Sequence, residues 1–411
     1  MEKYDILIVG GGHAGAQAAA TLRQMTFEGS MGIIGDEGFF PYHRPPLSKE
    51  FLSDEKEFGQ CLLRPVSFWK DAHIGMTLGV KVVSVASSDQ YVETDQGRRI
   101  GYEKLIWAAG GSARQLQCDG ARADGVVSIR RRTDVDYIKR RLGNIENVVL
   151  IGGGYIGLEA TAILTKLKKN VTVLEALDRV LARVAGEPLS RFYESEHRRA
   201  GVDLRTNVLV EKIETDGAGH ANGVVLSCGE TIPADLVIVG TGIDPNIEPI
   251  ANAGAECDNG IIVDGHCRTS LPNVYAIGDC AAHVNVYADG KRIRLESVQN
   301  ANDQAKVAAR DIMGAGDPYG AVPWFWSNQY DLRLQTVGLS AGHDRCITRG
   351  DLAGRSFSVA YLKDGVLIAL DAVNAPKEYV QARSHIVARS TLDEAELADS
   401  SIALRDVRTA P

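Results

Sequence analysis

Three glycines and one aspartate near the N-terminus have a spacing that could bind the phosphates and ribose of a nucleotide. Gly10, Gly12 and Gly15 occupy the glycine positions of the pattern G-x-G-x-x-G. The first allows a tight turn, the second lets a pyrophosphate approach the backbone, and the third lets a helix pack against a strand. Asp36 follows about 20 residues later, where a carboxylate can accept hydrogen bonds from a ribose diol.

A strand, a helix and a second strand must hold these residues in place. The apolar run 4–9 predicts a strand, the Ala-rich segment up to Leu22 predicts a helix, and residues 31–34 predict a second strand. The N-terminus of the helix would face the phosphates with unpaired N–H groups and a partial positive charge. An ordinary glycine-rich turn without a ligand is the alternative, but the accompanying strands and acid favour a nucleotide site.

The same arrangement occurs a second time in the middle of the chain. The strand 148–151 leads into Gly152, Gly154 and Gly157, and Glu175 follows the next predicted strand. One such unit could serve any nucleotide. Two units in one chain suggest a bound dinucleotide that exchanges electrons with a diffusing one.

Composition narrows the class of protein. The chain has 411 residues, which is more than one hydrophobic core accommodates, so two or three domains are expected. A formal net charge of −8 argues against a general nucleic-acid binder. No apolar run approaches the ~20 residues that span a bilayer, and the first residues lack a signal-peptide layout. We therefore expect no membrane partner and a cytoplasmic location.

The cysteines do not suggest a metal or dithiol centre. No two of them have C-x-x-C spacing, which disfavours a zinc ribbon, a cysteine-ligated iron–sulfur cluster and a thioredoxin-like dithiol. We therefore expect no metal and simple thiols at Cys61, Cys118, Cys228, Cys257, Cys267, Cys280 and Cys346.

The remaining segments complete the expected element order. The proline-rich segment 39–49 should contain no regular element. A strand meander fits 80–92, and a helix is expected over about 297–313. Buried strands that end in glycine turns are predicted at 105–111, 236–242 and 274–279. A third, α+β domain is predicted from strand-like segments at 333–338, 345–348, 356–362 and 366–373 and helical patterns at 376–388 and 393–398.

Six motifs, in this order, span nearly the whole chain: residues 9–15, 44–49 (RPPLSK), 151–159 (IGGGYIGLE), 276–280 (AIGDC), 296–298 (ESV) and 323–327 (PWFWS). Together they resemble the putidaredoxin reductase-like family of NADH-dependent flavoproteins, which reduce ferredoxins in bacterial oxygenase systems. The resemblance implies an α/β fold with two Rossmann-like dinucleotide-binding domains of the glutathione reductase type and a C-terminal α+β domain. The FAD domain would be discontinuous, comprising 1–115 and 245–321. The NAD domain would cover 116–244 and the C-terminal domain 322–411.

The resemblance also implies a set of FAD-binding residues. Asp279 would hold the ribityl chain, and the backbone of Val298 would face the pyrimidine edge of the flavin at a helix N-terminus. Ala109 departs from the family, which often has Thr there. The full set is Gly10, Gly12, His13, Ala14, Gly15, Asp36, Lys49, Val82, Ala109, Arg130, Asp279, Val298 and Trp326.

A second implied set binds NADH. Glu175 would accept hydrogen bonds from the adenosine ribose diol and repel the 2′-phosphate of NADPH. Lys49 would lie next to flavin N5 and Glu159 near the nicotinamide, as positioning groups, since hydride transfer needs no general acid or base. The NADH set is Gly152, Gly154, Tyr155, Ile156, Gly157, Glu159, Glu175 and Gly242.

The implied partner is a [2Fe-2S] ferredoxin, which is usually acidic, as this chain is overall. Arg64 and Lys306 would lie on the docking face and offset the repulsion. The alternative, that both are ordinary solvated charges, stays open.

Two other classes of protein have this fold. An NADH oxidase or peroxidase uses a redox cysteine just after the second strand, and residues 36–49 contain none. An NADH-sensing flavoprotein of the apoptosis-inducing-factor type usually carries long extra segments, which are not seen here. Turnover of an iron–sulfur partner would separate the three functions.

Overall fold

The computed structural model describes residues 1–409, which form two compact units. Unit 1 comprises Met1–His43, Phe58–Ser112 and Asp244–Pro323. Unit 2 comprises Arg44–Glu57, Ala113–Ile243 and the described residues from 324 onwards. Both units are therefore discontinuous in sequence. The division into three domains stays a prediction, and the last two residues of the expected C-terminal domain, 410–411, lie outside the described residues.

Strands account for most elements of the described chain. In chain order they are β1 Glu2–Val9, β2 Met31–Gly35, β3 Ile74–Leu78, β4 Val82–Ala86, β5 Tyr91–Thr94, β6 Arg99–Trp107, β7 Gly111–Ala113, β8 Val126–Ser128, β9 Asn147–Ile151, β10 Asn170–Leu174, β11 Asp203–Arg205, β12 Val210–Thr215, β13 Ala221–Leu226, β14 Thr231–Pro233, β15 Leu236–Val239, β16 Ile243–Pro245, β17 Cys257–Asp258, β18 Gly260–Val263, β19 Val274–Ala276, β20 Ala281–Val284, β21 Arg292–Arg294, β22 Trp324–Gln329, β23 Leu332–Gly338, β24 Arg345–Asp351, β25 Ser356–Lys363 and β26 Val366–Val373.

The α-helices of the same residues are α1 His13–Gln24, α2 Val66–Asp71, α3 Arg132–Arg141, α4 Tyr155–Lys166, α5 Glu187–Arg199, α6 Glu248–Asn252, α7 Val298–Ile312, α8 Pro376–Ala388 and α9 Glu394–Ala398. Short 3-10 helices occur at Pro45–Ser48, Phe58–Cys61, Leu142–Asn144, Gly278–Cys280, Val286–Ala288 and Leu404–Asp406. No helix of the part described here has the length and apolar character needed to cross a membrane.

The expectation that segment 39–49 contains no regular element is wrong. Pro45–Ser48 forms a 3-10 helix, because prolines fit the first turn of a helix, where no N–H donor is needed. The sequence patterns also missed α3 and α5, and they did not identify β22, whose aromatic residues were noted only as the start of a domain.

Unit 1 is built on a mostly parallel sheet. Its strand order is β3-β2-β1-β6-β5-β4, and β19 also pairs with β6. Alternate residues of the central strand enter different cores. Ile6 and Ile8 pack with α1 and α7, whereas Leu7 and Val9 pack with β4 and β5. Both faces of β1 are thus covered, as the continuous apolar run of its sequence requires.

Unit 2 contains three sheets. A parallel sheet has the order β11-β10-β9-β15-β8, and the meander β12-β13-β14 shares a core with it through Val149, Val237 and Val224. The third sheet is antiparallel, with the order β22-β23-β26-β25-β24, and α8 packs on β23 and β26.

A buried arginine secures the end of the described chain to the antiparallel sheet. Arg349 on β24 is 1% exposed, and its Nε donates to Glu378 Oε2 of α8 at 2.8 Å. Its other nitrogens donate to the backbone carbonyls of Leu397 and Ile402. The planar guanidinium therefore joins a strand, a helix and the C-terminal segment.

Arg349→Met should lower the free energy of unfolding by about 3 kcal/mol or more, because the Glu378 carboxylate and the carbonyls of Leu397 and Ile402 lose their donor. Arg345→Met on the same strand is the control. Arg345 is 62% exposed and pairs with Glu394 at the surface, so its loss should cost less than about 1 kcal/mol. Urea denaturation of both variants measures the difference, and similar small losses would contradict the assignment.

Candidate cofactor and active site

Unit 1 gathers several of the predicted FAD residues at the carboxyl edge of its parallel sheet. Val9 pairs with Ile34 and Trp107, and Ala276 also pairs with Trp107. The loops after β1, β2, β6 and β19 therefore begin at the same edge. These loops carry the glycine turn, Asp36, Ala109 and Asp279, and this edge is where open α/β sheets bind ligands.

Each glycine of the first turn meets a different constraint. Gly10 has a φ of 119°, and a methyl group there would lie 2.1 Å from the carbonyl oxygen of Ala108. A methyl group on Gly15 would lie 2.0 Å from the carbonyl oxygen of Gly10. At Gly12 it would meet nothing within 4 Å. The first and third glycines are thus needed for the fold, whereas the second leaves open space beside the backbone.

The N-terminus of α1 is suited to an anion. Its capping residue, Gly12, makes no side-chain capping hydrogen bond, and the first turn contains no acidic residue. His13 and Ala14 are buried in this first turn. The uncapped N–H groups and the space at Gly12 fit the pyrophosphate of a dinucleotide.

The Gly278–Asp279 turn adjoins the same helix. Gly278 has a φ of 77°, and a methyl group there would lie 3.1 Å from Cβ of Ala14. Its N–H donates to Gln304 Oε1 of α7 at 2.7 Å. The helix α7 begins at Val298, and the hydroxyl of Ser297 caps it by accepting from the N–H of Asn300. Asp279 thus directly follows a glycine that lies against the first turn of α1, and Val298 begins the helix that this glycine also contacts.

The remaining FAD residues are placed differently. Val82 belongs to unit 1, where its side chain lies in the core beside β1. Lys49, Arg130 and Trp326 belong to unit 2. Arg130 directly follows the buried Ile129 after β8, and its carbonyl accepts from the guanidinium of Arg44 at 2.6 Å.

The second glycine turn lies at the carboxyl edge of the parallel sheet in unit 2. Gly152 has a φ of 109°, and a methyl group there would lie 2.5 Å from the carbonyl oxygen of Gly240. A methyl group on Gly157 would lie 2.5 Å from the carbonyl oxygen of Gly152, but at Gly154 the nearest atom would be 3.9 Å away. The second turn therefore repeats the geometry of the first. Gly242, with a φ of 102°, follows β15 at the same edge.

Glu175 has a contact that the sequence did not indicate. Its Oε2 accepts from the N–H of Gly153 at 2.7 Å, and its Oε1 accepts from the N–H of Leu177 at 2.8 Å. The carboxylate therefore anchors the glycine turn. Each oxygen keeps a further lone pair for a ribose hydroxyl.

The two residues after the second glycine turn differ in exposure. Tyr155 opens α4, and its ring packs against Phe325 with 4.7 Å between centroids. Burial raises the pKa of the Tyr155 hydroxyl well above its usual value. Ile156 is exposed beside it, available to a ligand at this edge.

Lys49 and Glu159 form a buried ion pair. Lys49 Nζ lies 2.5 Å from Glu159 Oε2, and Ser48 donates to the same oxygen at 2.7 Å. Ser327 donates to Glu159 Oε1 at 2.7 Å. The structure thus brings together the two residues that the resemblance named. It adds two serines that lie inside the quoted motifs RPPLSK and PWFWS but were not singled out.

Trp326 lies on a different face of β22 from Ser327, because side chains alternate along a strand. Its ring packs near that of Trp324, with 5.5 Å between centroids. The predicted flavin contact of Trp326 is therefore separate from the Glu159 cluster.

Comparisons with known proteins identify relatives over the full chain. The model of the pyridine nucleotide-disulphide oxidoreductase family matches residues 4–305, and the reductase C-terminal model matches residues 324–408. The ferredoxin reductase subunit of 5,5′-dehydrodivanillate O-demethylase from a Sphingobium species is 54% identical, with 100% of both chains covered. A ferredoxin–NAD(P)+ reductase from a Sphingomonas species is 55% identical over 95% of this chain and 94% of its own.

Solved structures agree with these relatives. The reductase chain in the crystal structure of a covalent putidaredoxin reductase–putidaredoxin complex has a TM-score of 0.94 and 38% identity. That alignment covers 98% of this chain and 97% of the other. The glutathione reductase-type α/β fold with a C-terminal domain, expected from the sequence, is confirmed.

Substitution of Gly15 should impair stability, whereas substitution of Gly12 should impair FAD binding. Gly15→Ala should destabilise the apoprotein by several kcal/mol, because its methyl group overlaps a backbone oxygen. Gly12→Ala should leave the thermal unfolding of the apoprotein nearly unchanged but weaken FAD binding at least tenfold, since it fills the space beside the backbone. Thermal unfolding and FAD titration of both apoproteins test this. Tight FAD binding by Gly12→Ala would contradict the site.

Glu175→Gln should separate the two tasks of this side chain. The amide oxygen can still accept from the N–H of Gly153, but the amide nitrogen cannot accept from the N–H of Leu177, and the negative charge that would repel a 2′-phosphate is lost. We expect the ratio of kcat/KM for NADH over NADPH to fall at least tenfold, with a smaller loss of thermal stability than Glu175→Ala causes. Glu175→Ala should lower the same kcat/KM ratio, and it should also lower the thermal stability. A wild-type enzyme that uses both cofactors equally would rule out this role.

Proposed function

Because the chain belongs to the pyridine nucleotide-disulphide oxidoreductase family, as a ferredoxin reductase, we propose that it passes electrons from NADH through FAD to a [2Fe-2S] ferredoxin that supplies an oxygenase. The observation that carries this proposal is the presence of two glycine turns, each at the carboxyl edge of its own parallel sheet. The relatives named above are ferredoxin reductases over their whole length. This enzyme class depends on FAD and NAD(H).

The chemistry comes from the cofactors, and the chain supplies binding and orientation. A bound FAD would supply the chemistry that couples hydride transfer from NADH to one-electron acceptors. In unit 1, the space at Gly12 and the N-terminus of α1 would hold the pyrophosphate, and Asp36 the ribose. Asp279 and the start of α7 would hold the flavin end. In unit 2, the turn at Gly154 and the carboxylate of Glu175 would hold NADH.

Lys49 and Glu159 would act as positioning groups rather than as acid and base. Their ion pair is shielded from water, and each charge compensates the other. A fixed ammonium and a fixed carboxylate can orient a nicotinamide carboxamide, which has both a donor and an acceptor. No proton transfer is needed for the hydride step.

The cysteines do not support an NADH oxidase or peroxidase, or a disulfide reductase. All seven cysteines are free thiols. Cys61, the first cysteine after β2, is fully buried, and burial raises the pKa of Cys267 and Cys280. Neither a peroxidase thiolate nor a redox disulfide is therefore indicated. We also propose a cytoplasmic location, for which the seven free thiols are suited.

Steady-state reduction of candidate ferredoxins by NADH, with cytochrome c as the final acceptor, tests the function. Ferredoxin-dependent turnover well above the rate of oxygen consumption supports the proposal. Oxygen consumption that no ferredoxin stimulates would favour an NADH oxidase, and binding of NADH without turnover would favour a sensor.

The proposed docking face contains Arg64 and Lys306 of unit 1. Arg64 is exposed just before α2, with its guanidinium 5.7 Å from the ring centroid of Phe68. Lys306 on α7 pairs with Asp303 at 3.2 Å and remains partly exposed. Phe68 and Val307, their neighbours, pack against the same apolar cluster. Both cations thus have neighbours that pack on one hydrophobic core of the unit, and α7 begins at the proposed flavin position.

Reversing both charges, Arg64→Glu with Lys306→Glu, should raise the KM for ferredoxin at least tenfold, because two like-charged surfaces repel. Turnover with ferricyanide should stay nearly unchanged, since that small acceptor needs no docking. Lys3→Glu with Arg99→Glu is the matched control. It changes the net charge equally, at exposed positions where β1 and β6 begin.

The wild-type rate with ferredoxin should also fall as salt shortens the Debye length below ~10 Å. Wild-type ferredoxin kinetics of the Arg64→Glu, Lys306→Glu variant at low salt would show that ferredoxin docks elsewhere. An equal rise in KM for the Lys3→Glu, Arg99→Glu control would show the same.

A further inference from the structure

Strand β22 and helix α4 of unit 2 run side by side with matched spacing. On α4, Tyr155 and Glu159 are one turn apart, a rise of about 6 Å. On β22, Phe325 and Ser327 are two residues apart, about 6.7 Å. The ring of Tyr155 contacts that of Phe325, and Ser327 donates to Glu159. A strand of the antiparallel sheet thus contacts the helix that follows the second glycine turn at two successive positions.

The hydroxyl proton of Ser327 is donated to the Glu159 carboxylate. Its Oγ is fully buried and accepts from Gln329 Nε2 at 3.3 Å, so its single proton is directed to Glu159 Oε1 at 2.7 Å. Glu159 Oε2 is occupied by Lys49 and Ser48. Both carboxylate oxygens therefore have donors, and the carboxylate cannot rotate without breaking one of these contacts.

Gln329 is in turn held by a histidine. His197 Nε2 lies 2.9 Å from Gln329 Oε1, and the hydroxyl of Tyr330 lies 2.9 Å from His197 Nδ1. Burial lowers the pKa of His197 to about 4, so the ring is neutral near pH 7. A neutral ring that donates from Nε2 must accept at Nδ1. Every hydrogen bond from Tyr330 to Glu159 therefore points towards the carboxylate.

We propose that Ser327 is a positioning residue for the NADH half of the reaction. Its hydroxyl, oriented by Gln329, fixes the rotation of the Glu159 carboxylate and thereby the orientation in which unit 2 holds the nicotinamide. This inference rests on the proposed function only as far as flavin reduction by NADH. It does not depend on which acceptor takes the electrons.

The test compares Ser327→Ala, which removes the donor, with Ser327→Cys, which keeps the shape of the side chain but is larger and a weak donor. Ser358→Ala is the matched control. Ser358 is also a fully buried serine in the antiparallel sheet, and it donates to a different carboxylate, that of Glu378, at 3.3 Å. Thermal unfolding of the three variants shows how much stability each loses.

Two measurements are made on the FAD-loaded enzyme. Anaerobic stopped-flow absorbance gives the limiting rate of flavin reduction by NADH, and calorimetric titration of the oxidised enzyme gives the Kd of NAD+. We expect both Ser327 variants to reduce flavin about tenfold more slowly, in line with the loss of one hydrogen bond to a charged group. The Kd of NAD+ should rise about threefold. The control should match wild type in both measurements.

The same substitutions in a Glu159→Gln background show whether Ser327 acts through Glu159. Residues that act as one unit are non-additive, so Ser327→Ala should add less than a twofold loss there. A wild-type rate and affinity in either Ser327 variant would overturn the proposal, as would a full tenfold loss in the Glu159→Gln background. Failure of the proposed function would look different, because NADH would then not reduce the flavin of the wild-type enzyme.

Discussion

A charge that is buried away from water must be paired and hydrogen-bonded, and unit 2 is organised around one such pair. Lys49 and Glu159 come from a 3-10 turn and from α4, and neither charge could stay at this depth without the other. The carboxylate also needs donors at its second oxygen. The strand β22 meets this need by placing Ser327 opposite Glu159. The antiparallel sheet is therefore a structural component of the candidate active site.

The two glycine turns obey a different constraint, which is steric rather than electrostatic. Gly10 and Gly152 lie against the carbonyl oxygens of a neighbouring strand's loop, and Gly15 and Gly157 lie against the first glycine's own carbonyl. Of the three pattern glycines in each turn, the second, Gly12 or Gly154, has no atom closer than 3.9 Å to an added methyl group. The first and third glycines are required by backbone packing, whereas nothing in the fold itself requires the second. A second glycine that occurs in both turns therefore indicates two nucleotide sites.

The fold and the glycine sites could be predicted because their signals are local. An apolar run, a glycine turn and a terminal acid are contiguous in sequence, and α8 was predicted with its observed bounds. The strand β22 could not be predicted, because its apolar residues do not alternate with polar ones. The contact of Ser327 with Glu159 could not be predicted either, because the two residues lie 168 positions apart. The bond from the Gly153 N–H to Glu175 spans only 22 residues, but no sequence pattern indicates which backbone donors a carboxylate accepts from. The prolines of segment 39–49 led to the wrong expectation of no regular element. Proline disrupts the interior of a helix but fits its first turn.

The separation of Ser327 from Glu159 has a consequence for biosynthesis. These residues lie 168 positions apart. At a translation rate of about 5–20 residues per second, roughly 10–30 s pass between their syntheses. During this interval the nascent chain already has Lys49 and Glu159 but lacks β22, which supplies Ser327 to the carboxylate. Until then Glu159 Oε1 lacks its Ser327 donor, so the hydrogen bonds of the carboxylate are complete only after β22 packs on α4.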